Sequence, residues 1–337
     1  MPSYNLAIIG MGNVARALLR LLISKETELR RRYDVHWRLT GVATRRVGWI
    51  ADPDGLNPLA VLQGHSLTQH GNTAQPRNVR EWLEKTRAEV FFETSSLNVH
   101  TGQPAIEHLR TALEFGAHAI TANKGPIVHA FHELSALARE KRKQFLYEAT
   151  VMDGVPVFSM FPDGLPGADI RGFAGVLNST TNVVLTEIEK GRSMDEAVKR
   201  AQAMGIAESD PAADLDGWDA AVKVLALAIV LMGANLRLEQ VRRSGIRGLS
   251  EAEIRSVRAD GMRYKLVCRA ERRGDGVECS VRPELLPASD PLASLEGSSS
   301  AIRFDLDVFG LSLVEHNPGI EATGYGLLAD FLRAVRR

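Results

Sequence analysis

Tyr4-Asn5-Leu6-Ala7-Ile8-Ile9-Gly10-Met11-Gly12-Asn13-Val14-Ala15 decides the fold of this chain. Residues 4–9 form a short apolar run that reads as a buried strand, and Leu18, Leu19, Leu21 and Leu22 recur with the spacing of a helix. Two glycines lie between them. Gly10 permits a tight turn, Gly12 leaves room for backbone to approach a pyrophosphate, and the small Ala15 lets the helix pack closely with its N-terminus towards the phosphates. The same spacing occurs in ordinary strand-to-helix turns; its place directly between a strand and a helix is what points to dinucleotide binding. Gly10, Gly12, Asn13 and Val14 are the candidate cofactor contacts.

A second strand is expected over residues 37–43, and it runs into Thr44-Arg45-Arg46. An acid at this point would hold the ribose hydroxyls of NAD, whereas two guanidiniums and a hydroxyl suit the 2′-phosphate of NADP. NADP(H) is therefore the expected cofactor, with NAD(H) still admitted. The plainer alternative is that Arg45 and Arg46 decorate a solvated loop. Residues 55–80 are broken by Gly, Pro, Asn and His and read as a loop with one short helix near 57–62. Further strands are expected at 88–96, 117–121 and 144–148, with a helix at 102–115. Ligands collect outside the carboxyl ends of strands in such a sheet, so Thr94 and Lys124 should face the same crevice as Gly12. Lys124 is then a candidate for the substrate carboxylate or the cofactor.

The chain's 337 residues exceed what one hydrophobic core usually serves, and about two domains are expected. With 41 basic and 41 acidic residues, nothing draws it towards nucleic acid or an anionic membrane; a small polar ligand is the better match. Cys268 and Cys279 make no disulfide framework, and the first residues run into a strand instead of a signal peptide, which suggests a cytoplasmic protein. The longest apolar stretch, 220–232, is shorter than the ~18 residues of a membrane span. The 9 histidines show no metal-binding spacing, and Ser179 lacks the setting of a nucleophile elbow.

In the second half, a strand expected at 170–177 ends in Asn178-Ser179-Thr180-Thr181-Asn182, which can cap a helix at 183–190 and leave hydroxyls and amides in the crevice. A helix near 194–203 precedes the acid-rich run Gly205-Ile206-Ala207-Glu208-Ser209-Asp210-Pro211-Ala212-Ala213-Asp214-Leu215-Asp216-Gly217-Trp218-Asp219. Lys223 follows as the only charge in residues 220–232. So apolar a run buries its helix, and a buried ammonium persists only where acids meet it. Asp219, four residues earlier on the same face, is placed to do so, and Glu208, Asp210, Asp214 and Asp216 can converge nearby. The cluster suits a small zwitterion; the alternative is a surface salt bridge. After residue 250 the chain turns β-rich, with a hairpin over 262–270 and 276–282, strands at 301–304 and 311–316, and a closing helix at 322–335.

These motifs together resemble homoserine dehydrogenase over nearly the whole chain: G-M-G-N-V-A at Gly10, T-A-N-K-G-P at Thr121, E-A-T-V-M-D-G-V-P at Glu148, N-S-T-T-N at Asn178, and the segment from Gly205 to Lys223. The resemblance implies an α/β fold with an N-terminal Rossmann doubly wound domain over residues 1–150. An α/β catalytic domain over 151–310 follows, with a mixed sheet used in dimerisation, and the segment from about 310 to 337 packs back on the nucleotide domain. Regulated members carry a further ACT domain, and a chain ending at Arg337 is expected to be the short form. The implied activity is NADPH-linked reversible reduction of L-aspartate 4-semialdehyde to L-homoserine, on the path to threonine and methionine, by a homodimer.

Carried onto these residues, the resemblance makes Lys223 the general acid and base, Asp219 its partner in substrate binding, and Lys124 a group beside substrate and nicotinamide. Glu208 would hold the substrate's amino group, with Asp214, Asp219 and Thr180 around the same ligand, while Gly205 and Gly319 would approach the cofactor. A sodium or potassium ion would be held by Glu148, Val151, Asp153 and Val155, partly through backbone carbonyls. The chemistry agrees, because hydride addition to an aldehyde leaves an alkoxide that needs a proton, and a lysine ammonium supplies both proton and charge. The family usually has glycine where Ser179 stands, tyrosine where Ile206 stands, and a glycine-rich run where His316-Asn317-Pro318-Gly319-Ile320-Glu321 stands. Asp153 replaces a small residue and either strengthens cation binding or substitutes for the cation by a salt bridge. Two rivals remain: an oxidoreductase acting on another amino-acid aldehyde or imine, and a silent cofactor-binding sensor, which would have no need of Lys223 and its acids.

Overall fold

The computed structural model describes residues 3–64 and 76–336; the middle of the loop expected at 55–80 lies outside them. The chain divides into two compact units, one made of Met1–Val157 with Gly319–Arg337 and the other of Phe158–Pro318. The expected borders at 150 and 310 therefore both move later. Residues 310–315 form a strand of the second unit, so the return to the first begins only at Gly319.

In the first unit, β1 (Ser3–Ile9) leads through the glycine turn to α1 (Asn13–Ser24) and α2 (Glu26–Tyr33), and β2 (His36–Thr44) turns back into β3 (Gly48–Ala51). After α3 (Pro58–Gln63) and α4 (Val79–Thr86) come β4 (Val90–Glu93), α5 (Ala105–Phe115), β5 (His118–Thr121), α6 (Gly125–Glu140) and β6 (Phe145–Leu146). The sheet order is β3-β2-β1-β4-β5-β6, parallel throughout except for β3. Apart from that antiparallel edge strand, this is the strand order of a doubly wound dinucleotide-binding sheet. Helices cover both faces of parallel strands, so their residues read as unbroken apolar runs: Leu6, Ala7, Ile8, Val90, Phe91 and Phe92 are all at 0% exposure. Arg30, Arg31 and Arg32 lie in the last turn of α2.

The second unit opens with α7 (Met160–Gly164), β7 (Ile170–Val176), α8 (Ser179–Glu189), α9 (Met194–Ala203), α10 (Ala212–Leu215) and α11 (Trp218–Met232). Then come β8 (Arg242–Arg243), α12 (Glu251–Ser256), β9 (Met262–Arg273), β10 (Gly276–Pro287), β11 (Ser300–Leu306) and β12 (Gly310–Glu315). Its mixed sheet runs β12-β11-β7-β9-β10-β8. The β9–β10 hairpin extends beyond its expected ends, pairing Met262 with Pro287 and Arg273 with Gly276. Gly274 takes φ +56° in the two-residue turn, a conformation that favours glycine. Among the described residues no helix is long and apolar enough to cross a membrane.

The chain closes with α13 (Ile320–Val335) in the first unit. A Cβ on Gly324 would stand 2.8 Å from both Ala17 Cβ and the Leu18 amide nitrogen, so α1 and α13 meet almost backbone to backbone. Leu327, Leu328 and Phe331 complete the core around Leu18, Ile8 and Phe92. Asp330, at 0% exposure, accepts the Glu148 amide at 2.7 Å, and Arg333 lies 3.5 Å from Asp330 and 3.6 Å from the Glu148 carboxylate. Burial, and then the charge of Glu148, push Asp330 up to about 8. At neutral pH Asp330 therefore keeps its proton and Arg333 answers Glu148. A carboxyl raised in the folded state contributes stability that is fully present below its unfolded value, near 4, and that is lost as pH rises through about 8. The melting temperature is expected to decline between pH 5 and pH 8, and Asp330→Asn to flatten that decline in scanning calorimetry. An unchanged slope in the variant would contradict the assignment.

Candidate active site

In the first unit the glycine turn is shaped by close contact. Gly10 has φ +88°, donates its N–H to Ala43 O at 2.9 Å, and would place a Cβ only 2.5 Å from Thr94 O. Gly12 is the N-cap of α1; no side chain caps that helix, and a Cβ on Gly12 would meet nothing within 4 Å. The first-turn amides thus open onto empty space, the condition for holding an anion at a helix N-terminus. Asn13 is exposed, Val14 half-buried and Ala15 fully buried. The Thr94 hydroxyl lies 2.6 Å from Gly10 O and 2.9 Å from Ile9 O, so Thr94 stands against the turn. Lys124 caps α6 at the end of β5, half-buried, with Ile127 and Val128 donating to its carbonyl. Thr44 ends β2 with its hydroxyl accepting the Val47 N–H at 3.0 Å, and Arg45 and Arg46 are exposed in the turn beyond. These groups fit a dinucleotide phosphate chain. Gly319, exposed, is the N-cap of α13.

In the second unit a charged cluster forms on α11. Lys223 Nζ lies 3.0 Å from Asp219 Oδ2 and donates to Leu177 O at 2.7 Å; the two side chains are 19% and 20% exposed. The rest of α11 is apolar because it packs on the sheet, with Cys268 Sγ of β9 donating to Ala220 O at 3.7 Å. Asn178, the N-cap of α8, organises the acids. Its Nδ2 donates to Asp214 Oδ1 at 2.7 Å and to Asp219 Oδ2 at 3.0 Å, while its Oδ1 accepts from Thr181 N at 2.8 Å. Both faces of one amide are thereby fixed, and with them the spacing of two carboxylates and an ammonium. Burial, then the charge of Asp219, raise Asp214 above the usual aspartate range, opposed by hydrogen bonds from Asn178 and Thr180 and by Lys223.

The expected convergence of five acids is therefore reduced to two. Asp216 turns to Arg247 at 2.7 Å, and Asp210 accepts the Ala212 N–H at 3.0 Å. Glu208 is exposed and outside the hydrogen-bonded cluster, because Gln202 Nε2 pulls the carbonyls of Glu208 and Ser209 back onto α9. Gly205, at φ +71°, makes the turn that starts this loop. Thr180 is buried, its hydroxyl 3.4 Å from Ile206 O. In the sequence Asn178 reads as one of a run that caps a helix and leaves amides in the crevice; that its amide bridges Asp214 and Asp219 comes only from the structure.

The cation expected at Glu148, Val151, Asp153 and Val155 meets a donor set that is already engaged. Glu148 faces the Arg333 guanidinium at 3.6 Å, a poor neighbour for a second cation, and the Asp153 carboxylate receives the Thr323 hydroxyl. The Val155 carbonyl accepts Val157 N–H at 2.7 Å, and Asp153 O packs directly against Gly326. Val151 is buried and offers only its backbone. These contacts fit the ion poorly, and the partner of Asp153 here is the Thr323 hydroxyl. Among the described residues no group of three or more His, Cys, Asp or Glu is placed to hold a metal.

Residues 156–332 match the family model described as homoserine dehydrogenase, and residues 10–148 match that of the homoserine dehydrogenase NAD binding domain. The chain is 36% identical over 339 residues to the NAD(+)-dependent homoserine dehydrogenase of Pseudomonas canavaninivorans, covering 98% of this chain and 96% of that one. It superposes on a homoserine dehydrogenase from Thiobacillus denitrificans with a TM-score of 0.84 at 27% identity, covering 100% of this chain and 74% of that one. A hyperthermophilic archaeal homoserine dehydrogenase mutant solved in complex with NADPH gives a TM-score of 0.82 at 27% identity, covering 99% and 98%. With a glycine-turn nucleotide unit followed by a lysine–carboxylate unit, and with both units matched in that order, the chain belongs to the homoserine dehydrogenase family of NAD(P)-dependent oxidoreductases.

Proposed function

We propose that this chain catalyses the reversible, NADPH-linked reduction of L-aspartate 4-semialdehyde to L-homoserine, with Lys223 as the proton donor to the forming alkoxide. The observation that carries this is the Lys223 ammonium on an otherwise apolar helix, 3.0 Å from Asp219 and 2.7 Å from Leu177 O. When bound, the nicotinamide supplies the hydride that the aldehyde carbon accepts. The carbonyl oxygen then takes a proton from Nζ, and the amine is left to recover one from water; in the oxidative direction the neutral amine removes the hydroxyl proton. In this reading the carboxyls of Asp214 and Asp219 receive the substrate's own ammonium, and the Thr180 hydroxyl borders the same acids. Lys124 and Thr94 take the nicotinamide end of the cofactor in this reading, and Gly10, Gly12, Asn13 and Val14 its phosphates. A monovalent cation does not enter it, because Glu148 and Asp153 already hold Arg333 and Thr323. Lys223→Ala is expected to lower homoserine-dependent NADP reduction, followed by absorbance, about a hundredfold or more, with cofactor binding retained. Wild-type turnover in that variant would refute the role.

The preference for NADP(H) over NAD(H) rests on Arg45 and Arg46, exposed at the end of β2 where a ribose 2′-phosphate is met. The relatives divide on this point, one named as NAD(+)-dependent and one solved with NADPH. Replacing both arginines by alanine is expected to lower kcat/KM for NADPH about tenfold or more while leaving that for NADH within about threefold. A wild-type enzyme that favours NADH would overturn the preference.

The same reading makes the enzyme a cytoplasmic homodimer joined through the second unit's sheet. Support comes from β12, an edge strand with Val314 exposed on it and Val308 and Phe309 exposed just before it, and from Cys268 and Cys279, both buried thiols. Light scattering is expected to give twice the mass of one chain; a single-chain mass would sink the dimer.

A further inference from the structure

Glu93 ends β4 at 0% exposure, on a strand whose other members, Val90, Phe91 and Phe92, are the apolar filling a buried strand ordinarily has. A carboxyl in that position is costly to desolvate unless donors meet it. Here they come from three elements. The Ser95 hydroxyl bonds Glu93 Oε1, with Ser95 N at 3.3 Å from the same oxygen; the Thr121 hydroxyl of β5 lies 3.4 Å from Oε2; and His108 Nδ1 of α5 lies 3.4 Å from Oε1. Among the described residues no lysine or arginine pairs with it.

These bonds close a ring. Thr121 Oγ1 sits 3.0 Å from Glu93 O and accepts the Asn123 N–H at 2.9 Å; Asn123 Nδ2 donates to Ser95 O at 3.2 Å; and Ser95 returns to Glu93. Asn123 Oδ1 also accepts Gly125 N–H at 2.9 Å, so the residues on both sides of Lys124 are held. Likewise Thr94 lies between Glu93 and Ser95, both ring members, with its own hydroxyl against Gly10 O. The space is tight: a Cβ on Gly125 would approach Gly102 Cα to 2.8 Å and Asn123 Oδ1 to 3.2 Å.

We infer that Glu93 is a positioning residue for the nicotinamide end of the cofactor: through the Ser95–Asn123–Thr121 ring it sets the backbone that presents Thr94 and Lys124. This rests on the reading above that Thr94 and Lys124 meet the cofactor. The carboxyl supplies the ring with acceptors at a strand end where doubly wound sheets bind their ligands, which an apolar residue of equal size cannot do.

The experiment compares Glu93→Leu, which removes the acceptors, with Glu93→Gln, which keeps one oxygen for Ser95 and an amide for Thr121. Glu93→Leu is expected to raise the Kd of NADPH, measured by fluorescence titration, about tenfold and to lower kcat by a similar factor, with KM for homoserine within about twofold. Glu93→Gln should restore both to within about threefold. Asn123→Ala, which opens the ring on its far side, should give the same cofactor-selective loss and serves if Glu93→Leu does not fold. A Kd for NADPH unchanged in Glu93→Leu, or unchanged in Asn123→Ala where that variant has to stand in, overturns the inference. So does a loss that falls equally on homoserine and cofactor. Failure of the wild-type chain to bind NADPH at all would instead remove the underlying reading of the crevice.

Discussion

A lysine ammonium on a helix that otherwise carries only apolar side chains after its first turn must be answered locally, and that requirement organises the second unit. Lys223 finds Asp219 one helical turn back and the Leu177 carbonyl at the end of β7. Asp219 in turn shares the Asn178 amide with Asp214, so α8, α10 and α11 are tied at a single point by one side chain. Removing one member takes a charge-assisted hydrogen bond from its neighbours, which costs more than replacing both partners by apolar groups. The arrangement is rigid for that reason.

The first unit solves a different problem. A dinucleotide needs backbone amides and empty space, not charged side chains, at the end of β1. The space above Gly12 and the contact of Gly10 with Thr94 are two sides of one solution: the turn is pressed against β4 from below and left open above. Glu93 extends the same logic to the β4 and β5 ends, where hydroxyls and amides are held by a carboxyl that, among the described residues, faces no guanidinium or ammonium. Buried acids are used differently at Asp330, where a raised carboxyl keeps its proton and helps bind α13 to the short turn at Glu148.

Much of this was legible in the chain. The strand, the glycine turn and the helix at the start needed only local pattern, since apolar runs and glycine spacing are properties of neighbours in sequence. Lys223 and Asp219 were readable for the same reason, being one turn apart on one face. The misreadings share a cause as well. Asp210 and Asp216 looked like members of the cluster because they are close in sequence, but Ala212 and Arg247 draw them elsewhere. The contacts of Glu148 and Asp153 with Arg333 and Thr323 could not be read locally, because those partners come from the far end of the chain.

The sequence by itself determined the opening strand, glycine turn and helix, and the pairing of one lysine with one acid, since these depend on steric and periodic rules acting over a few residues. Only the tertiary structure decided which carboxylates stay together, that Asn178 bridges them, that Glu93 closes a ring with Asn123, and that the cation ligands are already taken. Those outcomes turn on hydrogen-bond partners tens to hundreds of positions away, and a donor brought from such a distance leaves no mark on the local pattern of its acceptor.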